Sequence, residues 1–179
     1  ARGGDARAPH AKERRLPSLE RVVAYARDHA DRHGTGDASP QELGALYEGH
    51  QLLYRPESAT GAWLEVPFTV ATTEPLRLLL NATTSYDFGV YQAYLDGVKL
   101  GEPFDLYSPE VGNREVHLLD FWPSPGEHVV RLECVGKNPV SKGYVLGLES
   151  VRLRERRPRV KAMGWDKEKD WRRAPILYG

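Results

Sequence analysis

Two short runs rich in β-formers, Val90 to Leu95 and Val98 to Leu100, meet at Asp96-Gly97. That dipeptide is what a two-residue hairpin turn demands, because both central residues need positive φ. The hairpin sets a side-chain period of two, and the same period recurs through the middle of the chain. Leu64, Val66, Phe68 and Val70 alternate with Trp63, Glu65, Pro67 and Thr69. Leu76, Leu78 and Leu80 alternate with Arg77 and Asn81, and Val130, Leu132 and Cys134 with Arg131 and Glu133. Val116 and Leu118 mark another strand, and Tyr144 to Leu153 the last. Each run turns one face to a core. Pro67 cannot donate to a ladder, which assigns its strand to an edge or a bulge. Ser124-Pro-Gly-Glu127 supplies a turn. Seven or eight short strands of this kind predict an all-β sandwich or jelly roll over residues 46–154.

The period differs at both ends. Ser18 is placed to cap a helix running to about His33, with Leu19, Val22, Val23, Ala26 and Ala30 on one face and Gly34 and Gly36 as its stop. Ser39-Pro-Gln-Glu42 reads as a capping box with Pro at the first helical position, which predicts a second, short helix. Residues 1–15, rich in Arg, Ala and Gly, carry no apolar period and read as extended or disordered. An N-terminal extension with two helices thus covers 1–45. Residues 155–179 read as a basic, aromatic tail: Arg156-Arg-Pro-Arg159 leads to Trp165, Trp171, Ile176, Leu177 and Tyr178. Such a tail is expected to dock on this domain or on a neighbour, and in the second case to form a homo- or hetero-oligomer.

The 179 residues suffice for one core, and 40% hydrophobic with 28% charged residues is a globular composition. No apolar run reaches the roughly 18 residues that cross a bilayer. Net charge is zero but uneven. Residues 1–33 carry 8 basic and 5 acidic side chains, residues 154–173 carry 9 and 4, and the middle carries 8 and 16. Basic ends around an acidic body are read as lying on that body or on another subunit. With no nucleic-acid motif, nucleic acid is not the expected partner. The single cysteine, Cys134, leaves no internal disulfide. A chain beginning at Ala1 is read as a mature or trimmed chain or a piece of a longer one.

Catalytic signatures are missing. The sequence holds no GxSxG, HExxH or phosphate loop. Sugar hydrolysis needs two carboxylates about 5–10 Å apart, and no acid pair stands in a recognisable setting. His29 and His33, four apart on the predicted helix, suit a metal face but lack a third ligand and read as solvated. Cys134 reads as a buried core thiol, and Trp122 as a loop aromatic folded onto the core.

Ser85-Tyr-Asp-Phe-Gly89 with Leu95-Asp-Gly97, then Phe104-Asp-Leu-Tyr107, Gly136-Lys-Asn138, Ser141-Lys-Gly-Tyr144 and Gly147-Leu-Glu149 form a familiar set. Over residues 46–153 the chain resembles the galactose-binding-like β-sandwich domains attached to bacterial glycoside hydrolases, and is similar to those beside a jelly-roll hydrolase family once called DUF2961. It also resembles calcium-containing carbohydrate-binding modules. The resemblance implies a ligand surface on the end loops. Asn138 would bond sugar hydroxyls, Tyr86 or Tyr144 would be the platform, and Asp87 and Lys142 would flank them. The same residues also read as turn locks, Tyr86-Asp87 in one loop and Asn138-Pro139 in the other. The resemblance further implies a structural calcium ion between Glu48 and Glu149. The modules commonly carry Asp at the second position, and solvated strand ends are the other reading of both glutamates. The implied function is a non-catalytic carbohydrate-binding or accessory domain of a secreted or periplasmic bacterial protein, whose partner is a glycan or a parent catalytic domain. A structural assembly subunit using helices and tail, and a hydrolase fragment completed by another domain, are the alternatives.

Overall fold

The computed structural model describes residues 20–45 and 49–156. Ten strands occur among them: β1 (Glu20–Tyr25), β2 (Asp37–Glu42), β3 (His50–Arg55), β4 (Trp63–Val70), β5 (Leu76–Thr84), β6 (Val90–Leu95), β7 (Val98–Asp105), β8 (Gly112–Phe121), β9 (Gly126–Gly136) and β10 (Leu146–Glu155). They form two antiparallel sheets. The larger runs β2-β3-β10-β5-β8, with β1 also paired to β10; the smaller runs β4-β9-β6-β7. β5 lines one side of β10, so β3 and β1 share the other side in tandem, at Leu146–Leu148 and Ser150–Arg154 respectively.

The inward sets are those that alternation predicts. Leu64, Val66, Phe68 and Val70 of β4 meet Leu78 and Leu80 of β5, Val130 and Leu132 of β9, and Leu148, Val151 and Leu153 of β10 in one buried cluster. The Asp96-Gly97 turn has φ of 49° and 83°, both positive as a two-residue hairpin requires. Every strand proline sits on an edge strand: Pro40 in β2, Pro67 in β4 and Pro103 in β7. There the missing N–H leaves no ladder bond unmade, and the edge is closed to further pairing.

The two predicted N-terminal helices are not seen. Residues 20–25 are a strand, followed by a single 3-10 turn, Ala26–His29. Val22, Val23 and Tyr25 are β-formers, and the ladder to Arg152, Arg154 and their neighbours outweighs the helical spacing. Glu20 and Arg154 close that ladder at 2.7 Å. Ser39-Pro-Gln-Glu42 lies in β2, where Pro40 stands opposite Leu52. Gly44 follows at φ 61°, which turns the chain rather than continuing a helix. His29 and His33 therefore share no helix face; His33 bridges to Leu64 on β4 and binds the Gly34 carbonyl through Nδ1 at 2.9 Å. The predicted extended segment 1–15 and most of the tail, 157–179, lie outside the described residues.

The outer face of the larger sheet carries an ion-pair ladder. Arg77 grips Asp120 with two hydrogen bonds of 2.8 and 3.1 Å, and Arg156 reaches the same carboxylate at 3.0 Å. Arg154 joins Glu20 to Glu115, which also meets His117. The Arg77 hydrogen bond holds the Asp120 carboxyl below its usual range despite burial, and bonds from His117 and Arg154 do the same for Glu115. A lowered folded-state pKa stabilises above the unfolded value, about 4, and the effect fades as pH falls through the folded value. The melting temperature is expected to drop in acid, with Asp120→Asn flattening that slope in a pH series of thermal melts. Both groups are partly exposed, so the slope should be modest and should shrink in high salt.

Candidate functional site

Two loops meet at one end of the sandwich, residues 85–89 and 137–145. Backbone bonds lace them: Lys142 N donates to Tyr86 O at 3.0 Å, Val145 N to Asp87 O at 3.0 Å, and Gly89 N to Val145 O at 3.0 Å. Buried Ser141 sends its hydroxyl to Phe88 O at 2.8 Å. All five expected ligand residues therefore come to one end of the fold, but their side chains differ in availability. Asn138 donates to Asp105 Oδ2 at 2.8 Å and accepts from Val140 N at 3.2 Å, which fixes its own loop. Tyr144 has Lys137 Nζ over its ring at 5.2 Å, and its carbonyl accepts from the buried Tyr91 hydroxyl at 2.5 Å. Lys142 is exposed, Asp87 half-buried, and Tyr86 stands 55% exposed.

Tyr86 and Asp87 rim a cleft of about 200 Å³ on its other side. Leu43, Leu53, Phe88, Val111 and Val145 give apolar walls, and Gln41, Gln51, Thr83 and Ser85 give polar ones. The polar groups form a relay. Thr83 Oγ1 donates to Gln51 Oε1 at 2.7 Å, and Gln51 Nε2 donates to Gln41 Oε1 at 2.7 Å. Gln51 is 3% exposed and Gln41 lies at the surface, so the relay runs from the sheet to a solvent-facing amide. An aromatic ring beside amide, hydroxyl and carboxyl groups, on apolar walls, is the chemistry that holds a sugar: the ring takes the C–H face and the polar groups take hydroxyls.

Sequence reasoning missed Gln41, Gln51, Thr83 and Val111. One signal was available in Gly147, a lone glycine inside a strand, which marks close approach by another group. Thr83 and Gln51 press on that position.

A second cleft, about 430 Å³, lies between β1, the 3-10 turn and edge strand β4. Its rings are already engaged. Tyr25 meets His50 edge-on at 5.0 Å and Arg27 at 5.5 Å, and Phe68 stacks on His128 at 5.7 Å. Phe68 is buried as well, and Tyr25 is only partly exposed. Cys134 is buried, and burial pushes its thiol up, away from nucleophile chemistry.

Of the two glutamates expected at calcium, Glu48 lies outside the described residues. Glu149 is 1% exposed and so is no solvated strand end. Its Oε2 accepts from Asn81 Nδ2 at 2.6 Å, from Ser150 Oγ at 2.6 Å and from Arg152 Nη2 at 3.0 Å. Calcium needs six to eight oxygen ligands, whereas the side chains around this carboxylate turn hydrogens toward it. That donor set does not fit the ion.

No family model matches the chain, and no curated protein matches it. Solved structures do, at the level of fold. A Paenibacillus xanthan lyase is 21% identical with a TM-score of 0.60, covering 69% of this chain and 12% of its own. A Paenibacillus sp. cycloisomaltooligosaccharide glucanotransferase complexed with cycloisomaltoheptaose gives 17% and 0.51, over 72% of this chain and 17% of its own. A Podospora anserina GH26-CBM35 β-(1,4)-mannanase gives 15% and 0.51, over 77% and 28%. The chain thus shares its β-sandwich with part of each protein and spans under a third of the length of any of the three. Among the described residues no helix is long and apolar enough to cross a membrane.

Proposed function

We propose that this chain is a carbohydrate-binding accessory module of a longer, secreted, glycan-active protein, and that it holds sugar in the Tyr86 cleft without catalysing a reaction. The observation that carries this reading is the open Tyr86 ring beside the Thr83–Gln51–Gln41 relay. The fold shared with parts of a lyase, a glucanotransferase and a mannanase supports it. So does the use of the acids: Glu20, Glu65, Glu115, Asp120, Glu133 and Glu149 are held by arginines. Among the described residues the cleft lining includes Asp87 and no basic side chain, so neutral glycans are expected to bind better than uronate-rich ones.

Calorimetric titration against a panel of neutral and acidic polysaccharides tests both points. Tyr86→Ala is expected to weaken binding about tenfold or more, or roughly 1.4 kcal/mol, with an unchanged melting temperature, because the ring is already outside the core. No binding across the panel would remove the reading. Binding undiminished by Tyr86→Ala would move the site elsewhere.

A further inference from the structure

Arg152 lies against Glu149, one of the two glutamates that the resemblance assigns to a metal ion. A β-bulge between Leu148 and Ser150 interrupts the β10–β5 ladder, and the extra residue it accommodates is Glu149. Leu148 and Val151 keep their places in the core, while Glu149, Ser150 and Arg152 form a polar cluster. Arg152 Nη2 lies 3.0 and 3.3 Å from the two Glu149 oxygens. Its Nε donates to Ser150 Oγ at 2.9 Å, and that hydroxyl in turn donates to Glu149. Its Nη1 is 3.5 Å from Glu20 Oε1 on β1. One guanidinium therefore touches carboxylates on two strands, with side-chain exposures of 21% for Arg152 and 1% for Glu149.

We propose that the Arg152 guanidinium is the resident cation of this site, cross-linking Glu149 of β10 to Glu20 of β1, so that the fold needs no divalent ion. Glu149 would be a costly buried charge if left alone. Arg152 supplies the charge and also the directed hydrogens that a spherical ion cannot. A calcium ion would have to displace that guanidinium and turn the Asn81 amide and the Ser150 hydroxyl around, while the neighbouring Glu20 carboxylate is already held by the Arg154 guanidinium at 2.7 Å. This inference is independent of the glycan reading.

The test is thermal unfolding of the full chain after chelation and again in millimolar CaCl2, with calorimetric titration of CaCl2. The expected result is the same melting temperature in both and no binding heat. An ion bound at about 100 times its Kd would raise the melting temperature by several degrees, and such a rise would overturn the proposal. A double-mutant cycle reads the pair itself. Arg152→Met strands the buried Glu149 carboxylate, and Glu149→Gln removes the charge that Arg152 is held by; each is expected to lower the melting temperature by many degrees. The double variant is expected to lose much less than the sum. Strictly additive losses, or an Arg152→Met protein as stable as wild type, would equally overturn it. If the single variants fail to fold, the calcium measurements on the unaltered chain still decide.

Discussion

Gly147→Ala is expected to lower stability by about 3 kcal/mol and to close the Tyr86 cleft. An added Cβ would fall within the van der Waals envelopes of Thr83 Oγ1 and Gln51 Oε1 and 3.0 Å from the Phe88 ring. The strand conformation of Gly147 suits any residue, so the penalty is one of space, not of backbone strain. Thr83, Gln51 and Phe88 are all buried. None can swing into solvent. Overpacking a site of this kind costs about 1–3 kcal/mol. Moving Thr83 away would also strip Gln51 of its donor, and a stranded buried polar group costs about 1–3 kcal/mol more. Chemical denaturation reads the stability, and glycan titration reads the cleft. An alanine variant with wild-type stability would mean that the relay does not press on β10. A destabilised variant with full glycan affinity would separate the relay from the binding site.

The same residue shows where sequence and structure part company. A local rule was enough wherever the cause is local. Asp96-Gly97 specifies its own φ angles, Pro67 forbids a central strand, and alternation in β4 and β9 assigns their core faces. What escaped is caused at long range. Residues 20–25 look helical alone and become a strand because β10 offers them an edge. Glu149 and Arg152 are three apart, a spacing that puts side chains on opposite faces of a regular strand. Only the bulge brings them together. The loop residues were placed at one end by turn chemistry alone. Which of them keep free side chains depended on partners such as Asp105 for Asn138, and Asp105 belongs to another hairpin. The Gln51–Thr83 relay joins strands that become neighbours only once β10 lies between them.

Raising the pH through neutrality is expected to weaken the corner where the β6–β7 hairpin meets β9. His128 faces oxygen on both sides of its ring: Nδ1 lies 2.6 Å from Asp96 Oδ2, and Nε2 lies 2.6 Å from the Ser124 carbonyl. Two oxygen acceptors call for two N–H donors, which only the imidazolium has. Burial pulls the His128 pKa down, but the Asp96 hydrogen bond, the Ser124 bond and the Asp96 charge together leave it raised. A raised folded-state value fixes the sign: the stabilisation is complete below the unfolded value, about 6.5, and is lost as pH rises through the folded value. Asp96 also accepts from Val129 N at 2.8 Å and occupies the first turn position, so the loss reaches the hairpin register. Asp96→Asn keeps a residue that tolerates positive φ while removing the charge. It is expected to cost about 1.5–3 kcal/mol below neutral pH, the usual worth of a hydrogen bond to a charged group, and to flatten the alkaline slope. Melting temperatures taken across the neutral range for both proteins provide the check. Parallel slopes would show that His128 is not the titrating group, and a wild-type protein that gains stability with rising pH over this range would reverse the sign assigned to it.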